Sequence, residues 1–105
     1  MSGELTYNEE RSGASINIFI AGELDIYSSA DFKEKLYRTA ESTDVDLRIH
    51  CENLKYLDST GLGIFVGALK RVKQKNKNIF LINLKDSIKK LFVITGLDKV
   101  FIIEE

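Results

Sequence analysis

The chain contains no proline and no tryptophan, and it has one cysteine, Cys51, and one histidine, His50. A single cysteine excludes an intrachain disulfide. A closed zinc site needs four ligands, and neighbouring residues on a strand point to opposite faces, so His50 and Cys51 do not build one. A Ser-His-Asp or Cys-His hydrolase would need His50 as its base, and no nucleophile motif lies near it. We therefore expect no metal site, and we interpret His50 as a solvated strand residue.

Long apolar runs are also missing. No run approaches the roughly 18 apolar residues of a membrane-spanning helix. The first residues do not combine a basic segment with an apolar stretch, as a signal peptide would. The sequence thus predicts a cytoplasmic protein without membrane contact.

A strong net charge is absent as well, since the formal net charge of the 105 residues is −1. The charge is nevertheless uneven, with a net of −6 over residues 1–46 and +5 over residues 68–105. We interpret the basic cluster between residues 70 and 77 as the solvated end of a helix, because no aromatic residues are interleaved with it as in a nucleic-acid surface. We expect no direct contact with nucleic acid.

Hydrophobic periodicity predicts strands that alternate with helices in one domain spanning residues 1–105. The predicted strands cover residues 4–8, 15–21, 45–51, 79–82 and 100–103, with a turn over 9–14 and a loop or short extension over 52–57. Three helices are expected between the later strands. The first begins at Ser28, with Asp31 completing a capping box, the second begins at Asp58, and the third stops at Gly96.

The element order β-β-α-β-α-β-α-β predicts an α/β fold with a mixed, mostly parallel sheet. The first strand is expected to add antiparallel at an edge. Residues 46, 48 and 50 give one strand a polar face, so we expect the helices to pack mainly on one face of the sheet.

The segment from Asp58 to Gly63 lies at a strand-to-helix junction and is not explained by composition. Asp58 or Ser59 alone would be an ordinary helix N-cap. Gly63 and Gly67 are harder to explain, because a glycine within a helix costs about 1 kcal/mol relative to alanine. Three explanations remain open from the residues alone: close internal packing, tolerance of a suboptimal helix, and the approach of a partner to the start of the helix.

Enzyme motifs do not match this segment. The nucleophile elbow Gly-x-Ser-x-Gly fails at Leu57, and a phosphate-binding loop needs a Gly-Lys pair that the chain lacks. The glycine of an aspartic protease triplet would come one residue earlier. A receiver-type phosphoacceptor needs an adjacent acidic pair, and Glu23 and Asp25 are not adjacent. We therefore predict no catalytic residues, no cofactor and no enzyme activity.

Ser59 is instead a candidate phosphoacceptor. A serine at a helix N-terminus presents its hydroxyl beside free backbone N–H groups, which would stabilise a phosphate. The phosphate would add about −1.5 to −2 charges beside Asp58. A partner surface that fits a neutral hydroxyl would then be repelled without a change of fold.

Four stretches of the sequence resemble the anti-sigma-factor antagonists, which are small bacterial STAS-domain proteins, and the general-stress branch in particular. The Asp-Ser-Thr-Gly-Leu-Gly string is the most specific of these markers. The four stretches are Ala21–Ser28, Tyr56–Gly63, Asn83–Leu84 and Leu91–Leu97. The resemblance runs from Ile16 to Ile103 and implies a single STAS domain.

The resemblance also implies a mechanism. The unphosphorylated antagonist binds an anti-sigma factor, which then releases its sigma factor. That anti-sigma factor is also a serine kinase, which would phosphorylate Ser59 and end the binding, and a PP2C-type phosphatase would remove the phosphate. The partner surface implied for this chain comprises Asp25, Ile26, Tyr27, Ser28, Asp58, Thr60, Gly61, Leu62 and Gly63.

The family implies a monomer when the antagonist is free. Phosphorylation at Thr60 instead of Ser59 is an alternative, because the two residues are adjacent. A second alternative is a STAS scaffold subunit within a larger signalling assembly.

Overall fold

In the computed structural model, which describes residues 4–105, five strands form one mixed sheet in the order in which they occur along the chain. The strands are β1 (Leu5–Ser12), β2 (Ser15–Leu24), β3 (Asp46–Leu57), β4 (Ile79–Ile82) and β5 (Ile102–Glu104). β1 pairs antiparallel with β2, and the remaining neighbours pair in parallel. The predicted α/β fold with an antiparallel edge strand is therefore confirmed.

Each parallel pair of strands is connected by a helix. The helices are α1 (Ser29–Ser42), α2 (Ser59–Lys73) and α3 (Asp86–Ile94), and a 3-10 turn (Leu97–Lys99) precedes β5. Such crossovers are right-handed in nearly all proteins, and here each one moves to the next strand in the same direction. The helices therefore lie on the same face of the sheet, as the sequence predicts.

One aromatic cluster shows that the three helices share a single core. Phe32 of α1, Phe65 of α2 and Phe92 of α3 are each at most 1% exposed. The Phe65 ring centroid lies 5.6 Å from that of Phe32 and 6.0 Å from that of Phe92. Such aromatic pairs contribute about 0.5–1.5 kcal/mol each beyond the area that they bury.

The opposite face of the sheet is not covered by a helix within the described residues. Phe19 of β2 stacks on His50 of β3, with ring centroids 4.3 Å apart. The His50 Nε2 atom lies 2.8 Å from Asn17 Oδ1. Arg48 lies over the Phe80 ring and is paired with Glu104. His50 is thus a partly exposed strand residue, as expected from the sequence.

The predicted strand boundaries are wrong at three places. β1 runs through residues 9–12 to a two-residue turn at Gly13, whose φ of +57° favours glycine. β2 continues to Leu24, three residues beyond its predicted end, and Leu24 is buried in the core. Residues 52–57, for which a loop and a strand extension were both open, form the extension, since β3 continues to Leu57. β5 begins two residues later than predicted, at Ile102. The error in β1 has a physical cause, since its second half is polar on both faces and shows no hydrophobic alternation.

Candidate functional site

The two predicted site segments meet at the carboxyl edge of the sheet. β2 and β3 are parallel neighbours and end in register, with Leu24 opposite Leu57. The main-chain N–H of Asp58 donates to the Leu24 carbonyl at 3.3 Å. The loop after β2 and the start of α2 therefore lie side by side, although they are more than 30 positions apart in the sequence.

Asp58 caps the N-terminus of α2. Its Oδ1 accepts from the Gly61 N–H at 3.1 Å, and its carbonyl accepts from the Leu62 N–H at 2.9 Å. Ser59 and Thr60 occupy the first two helical positions and are exposed. Their N–H groups have no acceptor within the helix, as at any helix start. The Ser59 hydroxyl thus lies in solvent beside two free donors and the positive end of the helix dipole.

The loop after β2 is held by a buried network around Asp25. The carboxylate oxygen Asp25 Oδ1 accepts from the N–H of Tyr27 at 2.9 Å and from that of Ser28 at 3.3 Å. The Ser28 hydroxyl donates to the Glu23 carbonyl at 2.8 Å and accepts from the Asp25 N–H at 3.1 Å. Asp25 and Ser28 are only 7% and 8% exposed.

This network corrects the prediction for Ser28. Ser28 stands at the N-cap position of α1, but its side chain makes no capping hydrogen bond with the helix. The predicted capping box with Asp31 is therefore wrong. The Ser28 hydroxyl points back into the loop, where it satisfies main-chain groups of residues 23 and 25.

The loop after β2 exposes two large apolar side chains. Ile26 is 64% exposed and Tyr27 is 75% exposed, in contrast to the buried Asp25 and Ser28 that flank them. Leu62, on the first turn of α2, is half-buried. Exposed apolar patches that are rimmed by polar residues are characteristic of protein interaction sites.

Tyr56 is a further exposed residue at this edge, and it is not among the contacts that the resemblance implies. It is 49% exposed and lies opposite Glu23 in the β2–β3 register. Together with Glu23, Asp25 and Lys55 it lines a cleft of about 470 Å³. A signal was present in the sequence, since Leu57 belongs to the core and its neighbour on the strand must point away from it.

The three glycines of α2 differ in how closely neighbouring side chains pack against them. A Cβ on buried Gly61 would lie 2.6 Å from Leu57 Cδ1 and 2.7 Å from Leu24 Cγ, so Gly61 is required by packing. A Cβ on Gly67 would collide with the Tyr37 hydroxyl, whereas one on exposed Gly63 would meet nothing within 4 Å. Internal packing therefore explains Gly67, and it does not explain Gly63.

Across residues 4–105, no three His, Cys, Asp or Glu side chains are grouped closely enough to hold a metal ion. In the same range, no helix is both long and apolar enough to cross a membrane. Cys51 is buried, and burial raises the pKa of its thiol to about 12.

Comparison with known proteins gives a consistent result. A family model described as STAS domain matches residues 8–105. The anti-sigma-B factor antagonist of Bacillus subtilis is 48% identical over 82 residues, which cover 78% of this chain and 74% of that protein.

Two solved structures share the fold. An anti-sigma factor antagonist from Mycobacterium paratuberculosis superposes with a TM-score of 0.85 at 20% identity, covering 99% of this chain and 90% of that one. The Bacillus cell fate determinant SpoIIAA in its phosphorylated form has a TM-score of 0.74 at 21% identity, covering 93% of this chain and 90% of that one.

Proposed function

The chain belongs to the STAS domain family, and from this membership we propose that it is an anti-sigma-factor antagonist controlled by phosphorylation of Ser59. In the unphosphorylated state it binds an anti-sigma factor that is also a serine kinase, and the sigma factor is released. The observation that carries the proposal is the position of Ser59, an exposed residue on the first turn of α2, which begins beside the loop that carries the exposed Ile26 and Tyr27. The protein itself acts as a binding partner and substrate and not as an enzyme.

The proposed phosphoryl transfer starts from the Ser59 hydroxyl. The Ser59 Oγ attacks the γ-phosphorus of the ATP bound by the kinase, a new O–P bond forms, and the bond to the bridging oxygen of ADP breaks. The serine proton leaves to a base or to water. The phosphoserine then carries about −1.5 to −2 charges and faces both Asp58 and the phosphates of the remaining ADP. This repulsion opposes continued binding.

The fold tolerates the phosphate. The free N–H groups of Ser59 and Thr60 and the dipole of α2 stabilise a negative charge at this position. Phosphorylation therefore changes the surface that the partner meets and leaves the core packed. A PP2C-type phosphatase then transfers the phosphoryl group to water and restores the hydroxyl. Both reactions place the protein in the cytoplasm, where sigma factors act.

The exposures of the residues beside Ser59 support a proposal for the partner surface. We propose that Ile26, Tyr27 and Leu62 contact the partner, together with the half-buried Asp58 and the exposed Thr60. We include Gly63 in this surface because a Cβ at this position would meet no atom within 4 Å, so packing inside the protein does not require a glycine there. Gly61 contributes by allowing α2 to start close to the ends of β2 and β3.

Capture from a lysate of the source bacterium tests the proposal. The wild-type chain and the Ser59→Ala variant should retain a serine kinase that hydrolyses ATP, and Ser59→Glu should lose it. Incubation of the recovered kinase with ATP should phosphorylate the wild type and the Thr60→Ala control at Ser59, as located by mass spectrometry. Phosphorylation of Ser59→Ala at wild-type rate would contradict the proposal.

A size measurement separates an antagonist from a scaffold subunit. Purified wild-type protein should elute as a monomer of 11.9 kDa. A stable oligomer that also forms with Ser59→Glu would favour a subunit of a larger assembly.

A further inference from the structure

We propose that Asp25 is a positioning residue that holds Ile26 and Tyr27 as a preorganised apolar anchor for the kinase. The carboxylate itself is not the main contact in this view. The inference rests on the proposed function and assigns separate roles to neighbouring residues of its partner surface.

The hydrogen bonds of Asp25 are directed inward. One carboxylate oxygen accepts two main-chain N–H groups, those of Tyr27 and Ser28, within 3.3 Å. Asp25 is only 7% exposed, so little of its side chain is available to a partner. An Asp that bonds main-chain N–H groups two and three residues ahead stabilises a tight turn.

The hydroxyl of Ser28 closes the turn from the other side. It joins the carbonyl of Glu23 to the N–H of Asp25 and thus connects the loop to the end of β2. The main-chain N–H groups of Ser28 and Ser29 also donate to the Asp25 carbonyl. The four-residue loop is therefore fixed at both ends, by bonds that do not involve Ile26 or Tyr27 side chains.

The fixed loop presents two large apolar side chains to solvent. Ile26 and Tyr27 are 64% and 75% exposed, and neither side chain belongs to the hydrophobic core or packs against it. Tyrosine contributes a large contact area at a low cost in conformational entropy, and anchors of this type dominate interface free energies. Holding the anchor in place before binding removes an ordering cost that association would otherwise carry.

The occupant of this surface is the kinase that phosphorylates Ser59, because the anchor is continuous with the phosphoacceptor segment. Asp58 N–H bonds the last residue of β2, which directly precedes the anchor loop. The point opposite Ser59 must accommodate the phosphates of ATP and is therefore polar. An apolar cleft beside the nucleotide site of the kinase would receive Ile26 and Tyr27 and supply the affinity.

The decisive comparison is between Asp25→Asn and Asp25→Ala. Asparagine retains an Oδ1 acceptor for both N–H groups but removes the charge, whereas alanine removes the acceptor. Affinity for the purified kinase, recovered by the wild-type chain as described above, is measured by titration calorimetry. We expect Asp25→Asn to bind within about threefold of the wild type, and Asp25→Ala to bind about tenfold more weakly or worse.

Anchor variants test the second half of the inference. Ile26→Ala and Tyr27→Ala should each weaken kinase binding by about tenfold. They should raise KM for Ser59 phosphorylation with little change in kcat, because the lost contacts are the same in the ground and transition states. The matched control is Ile94→Ala, which truncates a side chain of α3 that is 79% exposed. It should behave as the wild type.

Each outcome has a distinct meaning. Asp25→Asn binding as weakly as Asp25→Ala, with both variants folded, would show that the charge itself contacts the partner and would overturn the inference. Wild-type affinity of both anchor variants would overturn it as well. In either case Ser59 would still be phosphorylated, so the proposed function would stand. A wild-type chain that is not phosphorylated at Ser59 would reject the proposed function, and the inference with it.

Discussion

Glycines at positions 61, 63 and 67 share one helix but have different surroundings. Gly61 lies against the side chains of Leu24 and Leu57, and Gly67 lies against the hydroxyl end of Tyr37. The Arg71 Cζ atom lies 3.9 Å from the centroid of the same Tyr37 ring. Gly63 borders open space. From the sequence these positions look alike, because burial on a helix face depends on which neighbouring element packs there.

Alanine substitutions at Gly61 and Gly63 should therefore change stability in opposite directions. Gly61→Ala adds a methyl group to a filled site and should lower the free energy of unfolding by about 1–3 kcal/mol. Gly63→Ala removes the conformational cost of a helical glycine and should raise it by up to about 1 kcal/mol. Urea unfolding followed by circular dichroism measures both.

The two variants also separate stability from binding. We expect Gly63→Ala to bind the kinase less well than the wild type despite its higher stability, because the new methyl group lies on the surface that the partner approaches. Equal loss of stability in both variants would contradict the division of the glycines.

The element that organises the site is the first turn of α2, and Asp58 determines its stability. Asp58→Ala removes the acceptor for the Gly61 N–H and should cost about 0.5–2 kcal/mol in the free energy of unfolding. Asp58→Asn is the control, because asparagine is an equally good N-cap. Thermal unfolding should therefore place Asp58→Asn near the wild type and Asp58→Ala well below it.

Elements with a regular hydrophobic pattern were predictable from the sequence, and those stabilised by polar contacts were not. The stripe of Phe32, Leu36 and Ala40 predicts α1 and is fully buried. The sequence pattern ends β1 four residues too early. The outer half of β1 pairs with β2 through main-chain hydrogen bonds, and its side chains show no alternation that would indicate a strand.

The candidate site shows the same limit. Its residues were assigned by resemblance, but the sequence does not distinguish the inward-facing Asp25 and Ser28 from the outward-facing Ile26 and Tyr27. Ser28 was expected to cap α1, and its hydroxyl bonds the loop instead. Polar side chains choose among several nearby main-chain groups, and tertiary structure decides which.

The whole molecule should lose stability at alkaline pH. Burial raises the pKa of the Cys51 thiol from 9.0 to about 12. Burial, and then the hydrogen bond to Glu9, also raise the pKa of Tyr7. Above pH 9 the unfolded chain gives up protons that the folded chain keeps, so the free energy of unfolding falls as pH rises towards the folded-state values.

A Cys51→Ala variant isolates the contribution of the thiol. It starts from a lower stability because it leaves a small cavity, but its stability should decline less steeply between pH 9 and 11. The expected difference in slope is about 1.4 kcal/mol per pH unit, the value for one proton. Urea unfolding at a series of pH values gives both slopes, and identical slopes would show that Cys51 is not the titrating group.

The order of strands in the sheet has a consequence for how the protein forms during synthesis. Each strand from β2 onwards pairs with the one that precedes it in the chain. When a strand emerges from the ribosome, the strand with which it pairs has therefore already emerged. No strand depends on a partner that lies far downstream in the sequence. Unpaired strand edges, which promote aggregation, are therefore exposed only briefly in the nascent chain. The carboxyl edge that carries Ser59 is formed by the ends of β2 and β3 and the start of α2, so it can be completed before β4 and β5 have emerged from the ribosome.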